Sequence, residues 1–542
     1  MGIVLGIALA ALVACTRTGG SQGVPAGAEA VRFDVAADPA SLNPLFAHPD
    51  AGNVEGQLAR LAFEPFYDLD GSGHAVPALL RELPTVGNGG LSRDGRTIAY
   101  RLRPGVRWSD GVPVTSRDVL FTLAAIRDDA NPVASREGYE LIDRAEAHGP
   151  LGVRLHLRVA WAPAVATFFA PGPNPQYVLP AHVLERTAPL AKAPFGAAPL
   201  VGDGPFRFES WQRGDRIHYV ANPTYWRGRP GVAALDVRIV PDPQTNLTLL
   251  RSGAIDFVLV APSQVPALGG TPGLTFPSVA TALVAGIAMN VEHPPLDDPR
   301  VRRALAAAID RGGISKKITL GRYPVAQSDR PRFSWAYDAA VAQPAFDPGA
   351  ADRDLDAAGW RRGPDGRRRK AGHALALEYV QFPETTTGVR TAAVVQRELD
   401  ERGVSVTIVP VSNAQLFLPA ADGGMLAGGK FDLAYVPWAM GADPDDRFLY
   451  GCGSARQNYM HWCDRAVQRL EAIGATAAER GKRRAAYVAI DRIVARDVPV
   501  IWLFSATYVY AVGPRLARFA PNAFMPTWNA YAWKLRQRAS GR

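Results

Sequence analysis

The chain has 542 residues, enough for three or four domains or one large discontinuous body. Hydrophobic residues make up 47% and charged residues 20%, which excludes a disordered or coiled-coil chain. The formal charge of +9 rests on 53 Arg and seven Lys scattered along the sequence, whereas a nucleic-acid footprint would cluster, so nucleic acid is not an expected partner.

From Ile3 to Ala14 the chain is apolar, too short to span a bilayer but right for the core of a signal peptide. Leu12-Val13-Ala14-Cys15 resembles the lipobox of bacterial lipoproteins, which implies removal of residues 1–14 and lipidation of Cys15. One departure is that no Lys or Arg precedes the apolar run. Residues 15–29 are small, polar and turn-rich, as a flexible tether is, so the folded part is expected from Ala30. No later run approaches eighteen apolar residues, and the expected location is outside the cytoplasm, anchored by lipid.

Further along, Thr97 to Arg103 alternates like a strand after the turn Asp94-Gly95, and Pro104-Gly105 turns into Val106 to Gly111. Thr115 or Ser116 then caps a helix with Val119, Leu120, Leu123 and Ile126 on one face. Asp298 before Pro299 predicts another helix start, with Val301, Leu305, Ala308 and Ile309 as the apolar face and an end near Gly312-Gly313. Leu375 to Tyr379, a helix over Val389 to Glu401 and a strand over Val404 to Val409 form a βαβ pattern.

Cys452 and Cys463 lie in a Gly-rich loop, and an oxidising compartment makes a bridge between them the expected state. The alternative is a metal held by Cys452, His461 and Cys463 with Asp464 nearby, but paired ligands at the usual spacing are absent. Neither a metal nor another cofactor is expected. Gly19-Gly20-Ser21-Gln22-Gly23 matches the nucleophile-elbow pattern, yet lies in the linker rather than at a strand-to-helix turn. No His is followed by Glu, no phosphate-cradling Gly-Lys-Ser/Thr loop occurs, and Asp443-Pro444-Asp445-Asp446 reads as a capped turn. With no nucleophile, base and orienting group, a binding protein is expected rather than an enzyme, and a secreted hydrolase is disfavoured.

These residues carry a resemblance. Arg93-Asp94-Gly95-Arg96-Thr97 through Phe121 resembles the signature of the peptide- and nickel-type extracellular solute-binding proteins of ABC importers, family five of that class. Asp38-Pro39-Ala40-Ser41-Leu42-Asn43-Pro44 resembles its opening, and Gly202-Asp203-Gly204-Pro205-Phe206 with Asn222 to Gly228 its central block. Pro294 to Arg302 with Ala308-Ile309-Asp310-Arg311, and Ala357-Ala358-Gly359-Trp360 with Asp365-Gly366-Arg367-Arg368, resemble two more, all in family order.

The resemblance implies an α/β, two-lobed periplasmic-binding-protein fold with mixed sheets, hinged to close on its ligand. Lobe I would comprise 30–59, 200–279 and 505–542; an inserted domain would cover 60–199, and lobe III 280–504. It also implies a monomer that captures a peptide or peptide-like solute for a membrane permease, with ATP hydrolysed on a separate subunit. A non-peptide solute (oligosaccharide, opine or metal chelate) or a chaperone or signalling role on the same fold are the alternatives.

For the site, the resemblance places Leu45, Phe46, Ala47 and His48 beside the ligand backbone. Tyr139 matches a Tyr of the inserted domain that reaches the cleft, Asn290 ends a cleft-facing strand, and Trp438 matches a cleft-lining Trp. Dipeptide-binding relatives carry an Asp about three residues after that Trp, which pairs with the free ammonium of the ligand. Here Met440 and Gly441 occupy those places and Asp443 follows only with the turn, which argues against a requirement for a free amino terminus.

Overall fold

The computed structural model describes residues 30–46, 54–172, 175–187, 189–199, 201–453 and 456–536. Cys15, Ala47, His48 and the Gly19–Gly23 motif lie outside them. Among the described residues no helix is long and apolar enough to cross a membrane.

Ten strands form one mixed sheet: β1 (Ala30–Val35), β2 (Phe206–Gln212), β3 (Arg216–Ala221), β4 (Ala234–Ile239), β5 (Phe257–Val260), β6 (Ser278–Met289), β7 (Ala376–Gln381), β8 (Ser405–Pro410), β9 (Leu433–Ala439) and β10 (Val500–Val512). Their spatial order is β8-β7-β9-β6-β10-β5-β1-β4-β3-β2. The two longest, β6 and β10, are antiparallel neighbours at its middle, with β9 beside one and β5 beside the other. Both pass from one hydrophobic core to another. Val284 to Phe504 supply one core; the other gathers Val31, Phe257, Tyr510 and Trp533 with Ile98, Leu155 and Phe168. The 60–199 segment, which carries its own three-stranded sheet of Thr97–Arg101, Gly152–Leu157 and Ile142–Ala147, therefore shares a core with β1 and the C-terminal residues.

Local chemistry explains the helix boundaries. Helix α1 (Ser116–Arg127) starts where the Thr115 N–H donates to Asp118 Oδ2 at 2.8 Å, and buries Val119, Leu123 and Ile126. Helix α2 (Pro299–Ala308) starts on Asp298, whose carboxylate accepts the Arg300 N–H at 2.8 Å. The predicted stop at Gly312-Gly313 is corrected: α2 ends before Ile309, and those glycines lie in the first turn of a second helix, α3 (Arg311–Thr319). Asp310 caps α3 by accepting the Gly313 N–H at 2.8 Å, and a Cβ on Gly313 would stand 2.2 Å from Asp310 Oδ2. That glycine makes room for a cap.

Helix α4 (Thr386–Asp400) joins the parallel strands β7 and β8, and begins three residues before the predicted start because Thr385 Oγ1 caps it. The C-terminal helices α5 (Arg465–Thr476) and α6 (Arg480–Asp497) pack together and lead into β10. Cys452 and Cys463 are joined, Cα to Cα 5.0 Å, which corrects the alternative of a metal on these thiolates. His461 donates its Nε2–H to the Leu426 carbonyl at 3.1 Å instead.

Candidate functional site

Where β6 and β10 cross between cores, their register breaks. Ala280 opposes Thr507 and Val284 opposes Ser505, so Thr281, Ala282 and Leu283 face Ala506 alone. Thr281 fills the gap: its Oγ1 donates to the Ala506 carbonyl at 3.0 Å and accepts the Leu283 N–H at 3.1 Å. Ala282 turns its carbonyl to the Met440 N–H at 2.8 Å. The loop leaving β9, Met440 to Asp446, is thereby pinned at the junction of the lobes, with Ala442 packed on the opposite core.

The lobes also touch around this junction. The Ala162 N–H donates to the Ala475 carbonyl at 2.7 Å, and the Phe333 and Phe524 rings lie 6.2 Å apart. Tyr323, half-buried against Phe504 at 5.5 Å, has its hydroxyl pushed up to about 12 by burial, helped by Tyr508 of β10. These two phenols at the crossover were missed in the sequence. The alternating Thr507-Tyr508-Val509-Tyr510 run was the available signal, since it puts Tyr508 and Tyr510 on one face of β10.

Several expected contacts sit elsewhere. Asn290, expected to face the cleft, lies at the opposite end of β6, roughly 23 Å of strand beyond Leu283. It is fully buried, and its amide group is taken by the Gly429 carbonyl at 3.0 Å, His293 Nδ1 at 3.2 Å and the Glu292 N–H at 3.2 Å. Tyr139 is a core residue of the 60–199 segment: its ring packs on Phe168 at 4.6 Å and its oxygen accepts the Phe169 N–H at 3.3 Å. Trp438, expected as a cleft wall, is 1% exposed and packs against Trp502 at 5.1 Å and Tyr459 at 6.4 Å. Both faces of the sheet are covered at β9, so alternation sends Trp438 into the lobe rather than the junction. Phe46 is buried in the core that holds β1.

Gly441 and Asp443 do lie at the junction. A Cβ on Gly441 would meet only the Asp443 backbone, at an ordinary 3.4 Å, so the position has room for a side chain it lacks. Asp443 is already engaged: the Arg483 guanidinium donates to its Oδ1, and also to the Gly474 carbonyl at 2.6 Å and the Tyr487 oxygen at 3.2 Å. Burial pushes the Asp443 carboxyl up against the pull of Arg483. Its charge in turn helps raise the Tyr67 hydroxyl across the junction, after burial itself. The expected ligand carboxylate is therefore an internal partner of α6.

Behind the same loop, Arg330 is enclosed by Asp329, Asp446 and Asp491, with Nη1 3.3 Å from Asp329 and Nε 3.4 Å from Asp491. Asp446 receives the Nη2 contact, and the Pro444 carbonyl accepts from Nη1. These three carboxylates approach closely enough for a cation, but the guanidinium occupies the place among them. No catalytic set emerges from this arrangement; it fixes the loop.

Comparison with known proteins agrees with this architecture. The family described as bacterial extracellular solute-binding proteins, family 5, middle part, matches residues 75–460. Protein XP55 of Streptomyces lividans is 27% identical over 496 residues, which is 90% of this chain and 85% of that protein. The probable di/tripeptide-binding protein 5 of Pseudomonas aeruginosa is 27% identical, over 80% of this chain and 82% of its own. The structure of the oligopeptide-binding protein AppA of Bacillus subtilis with a nonapeptide superposes with a TM-score of 0.73 at 22% identity, covering 94% of this chain and 99% of that one.

Proposed function

The chain belongs to family 5 of the bacterial extracellular solute-binding proteins, and from that premise we propose that it captures a peptide or peptide-like solute between its lobes. It then delivers the solute to the permease of an ABC importer, whose ATPase is a separate subunit. The observation that carries this reading is the β6–β10 crossover with the Met440–Asp446 loop docked on its bulge. A change of twist in two strands there moves one core relative to the other, and a ligand at the junction touches both. The proposed division has a lobe of 30–59, 200–279 and 505–542, an insertion at 60–199 and a lobe at 280–504, and the crossover of β6 and β10 supports its boundaries near 280 and 505.

The preferred solute has an extended or blocked amino end. Gly441 offers no carboxylate and Asp443 is spoken for by Arg483, so a free ammonium buried at this loop would lack a counter-charge there, at a cost of several kcal/mol. The protein acts as a monomer held at the membrane by a lipid on Cys15.

Calorimetric titration with matched free-amino and N-acetylated peptides of two to nine residues tests the reading. Binding of longer peptides with little loss on acetylation is expected, and no binding by any member would overturn it. Cys15→Ser should shift the protein from the detergent phase to the aqueous phase, and unchanged partitioning would remove the anchor.

A further inference from the structure

A cavity of about 600 Å³ opens between α5 and the 60–199 segment, beside the Cys452 end of the disulfide. This volume is in the range of small-molecule sites. Glu137 lines it from one side, and Arg447, Gln468 and Glu471 from the other. Glu471 is 4% exposed, yet its Oε1 has no hydrogen-bond partner. A buried carboxyl oxygen without a partner, on a residue that borders a cavity, is costly to leave unanswered. The surroundings point the same way, because the Arg447 guanidinium is already clasped by Asp445. Behind that wall the carboxyls of Asp445 and Asp446 act on Glu471 against the guanidinium groups of Arg447 and Arg330. Arg456 also borders the cavity but is exposed to water.

We infer that this cavity is a subsite for an organic cation, an ammonium or guanidinium group, with Glu471 as its partner. The inference rests on the proposed capture of a solute between the lobes, since Glu137 of the 60–199 segment borders the cavity opposite α5. Burial, and after it the charges of Asp446 and Asp445, push the Glu471 carboxyl up to about 8, opposed by Arg447 and Arg330. At neutral pH an arriving cation therefore displaces the Glu471 proton, and binding releases protons to the buffer.

The test pairs peptides that carry Lys or its uncharged isostere norleucine at each position, titrated into wild type and Glu471→Gln. One Lys position should bind wild type about tenfold tighter than its norleucine partner, with proton release, and Glu471→Gln should bring that ratio to about one. Glu137→Gln, on the exposed wall, should lower the ratio in the same direction without disturbing the fold. A thermal-shift arm with 1,5-diaminopentane separates the sources: stabilisation of wild type but not of Glu471→Gln supports the cation site with a free amine as its occupant. Peptide binding with equal Lys and norleucine affinities everywhere, and no amine effect, overturns this inference alone. Absence of both peptide binding and amine effect overturns it together with the capture reading.

Discussion

Two buried arginines solve the same problem in different ways. Arg60 is closed within its own neighbourhood: Nε and Nη2 reach Asp68 at 3.0 and 2.9 Å, and Nη1 lies 3.0 Å from Glu64, four residues on. Arg330 pairs with its neighbour Asp329 and draws two more partners from far along the chain, Asp446 on the junction loop and Asp491 in α6. The guanidinium of the first network meets carboxylates from nearby only, while Glu64 carries it outward by accepting the Tyr225 hydroxyl at 2.6 Å and donating its N–H to Asp203 at 3.0 Å. The second ties the Met440–Asp446 loop to the body of its lobe, so that the loop meets the bulge of β6 in a fixed position. Both carry more carboxyls than guanidinium groups, and each has a further acid with an unpartnered oxygen beside it, Asp203 near Arg60 and Glu471 near Arg330; Glu471 is the one that borders the cavity described above.

The largest effect expected is from Arg330→Met. It strands three buried carboxyls, and removing one side of a buried ion pair costs about 3–5 kcal/mol. Denaturant unfolding should show Arg330→Met at the upper end of that range and Arg60→Met, which strands two, below it. Equal losses would break the distinction between the networks. Reduction of Cys452–Cys463 should cost about 2–3 kcal/mol for so short a loop, read as a lowered melting temperature of the reduced protein. An unchanged melting temperature would mean that the neighbouring Arg330 network alone holds this region.

Gly441→Asp sharpens the comparison at the junction loop. Because the loop is held and the position has space, a carboxylate there should raise affinity for free-amino over acetylated peptides by about tenfold, ~1.4 kcal/mol. A wild-type ratio in this variant would place the amino end of the ligand elsewhere. The smallest effect concerns pH. Glu471 has its folded pKa raised to about 8 from an ordinary 4.5, so the folded state holds its proton more tightly than the unfolded chain does. Its contribution to stability is thus full below about 4.5 and is lost as pH rises through about 8. Melting temperatures between pH 5 and 8 should fall less for Glu471→Gln than for wild type, and parallel curves would dissociate Glu471 from this dependence.

Much of the architecture was legible because it is written in short-range patterns. The Thr115 and Asp298 caps, the periodic face of α1 and the parallel β7–α4–β8 unit rest on hydrogen bonds and side-chain spacing within a few residues. The error at Gly312-Gly313 has the same scale: a glycine pair reads as a stop until Asp310 is seen to fold its carboxylate over them. The site was less legible. Asn290, Tyr139 and Trp438 are the residue types that line clefts, but the same types fill cores, and composition does not distinguish the two.

What the sequence by itself determined is therefore local and collective: the element order, the pairing of two cysteines in one short loop, and the ordered blocks that mark the family. Only the tertiary structure decided which groups remain available at the junction. It gave Asp443 to Arg483, and surrounded Arg330 with acids up to 161 positions away in sequence, Asp491 being the farthest. It also left Glu471 Oε1 without a partner beside a cavity that Glu137 of the 60–199 segment borders as well. The physical reason is range: caps and periodicity act over a few residues, whereas desolvation and charge pairing depend on every segment that packing brings within a few ångströms.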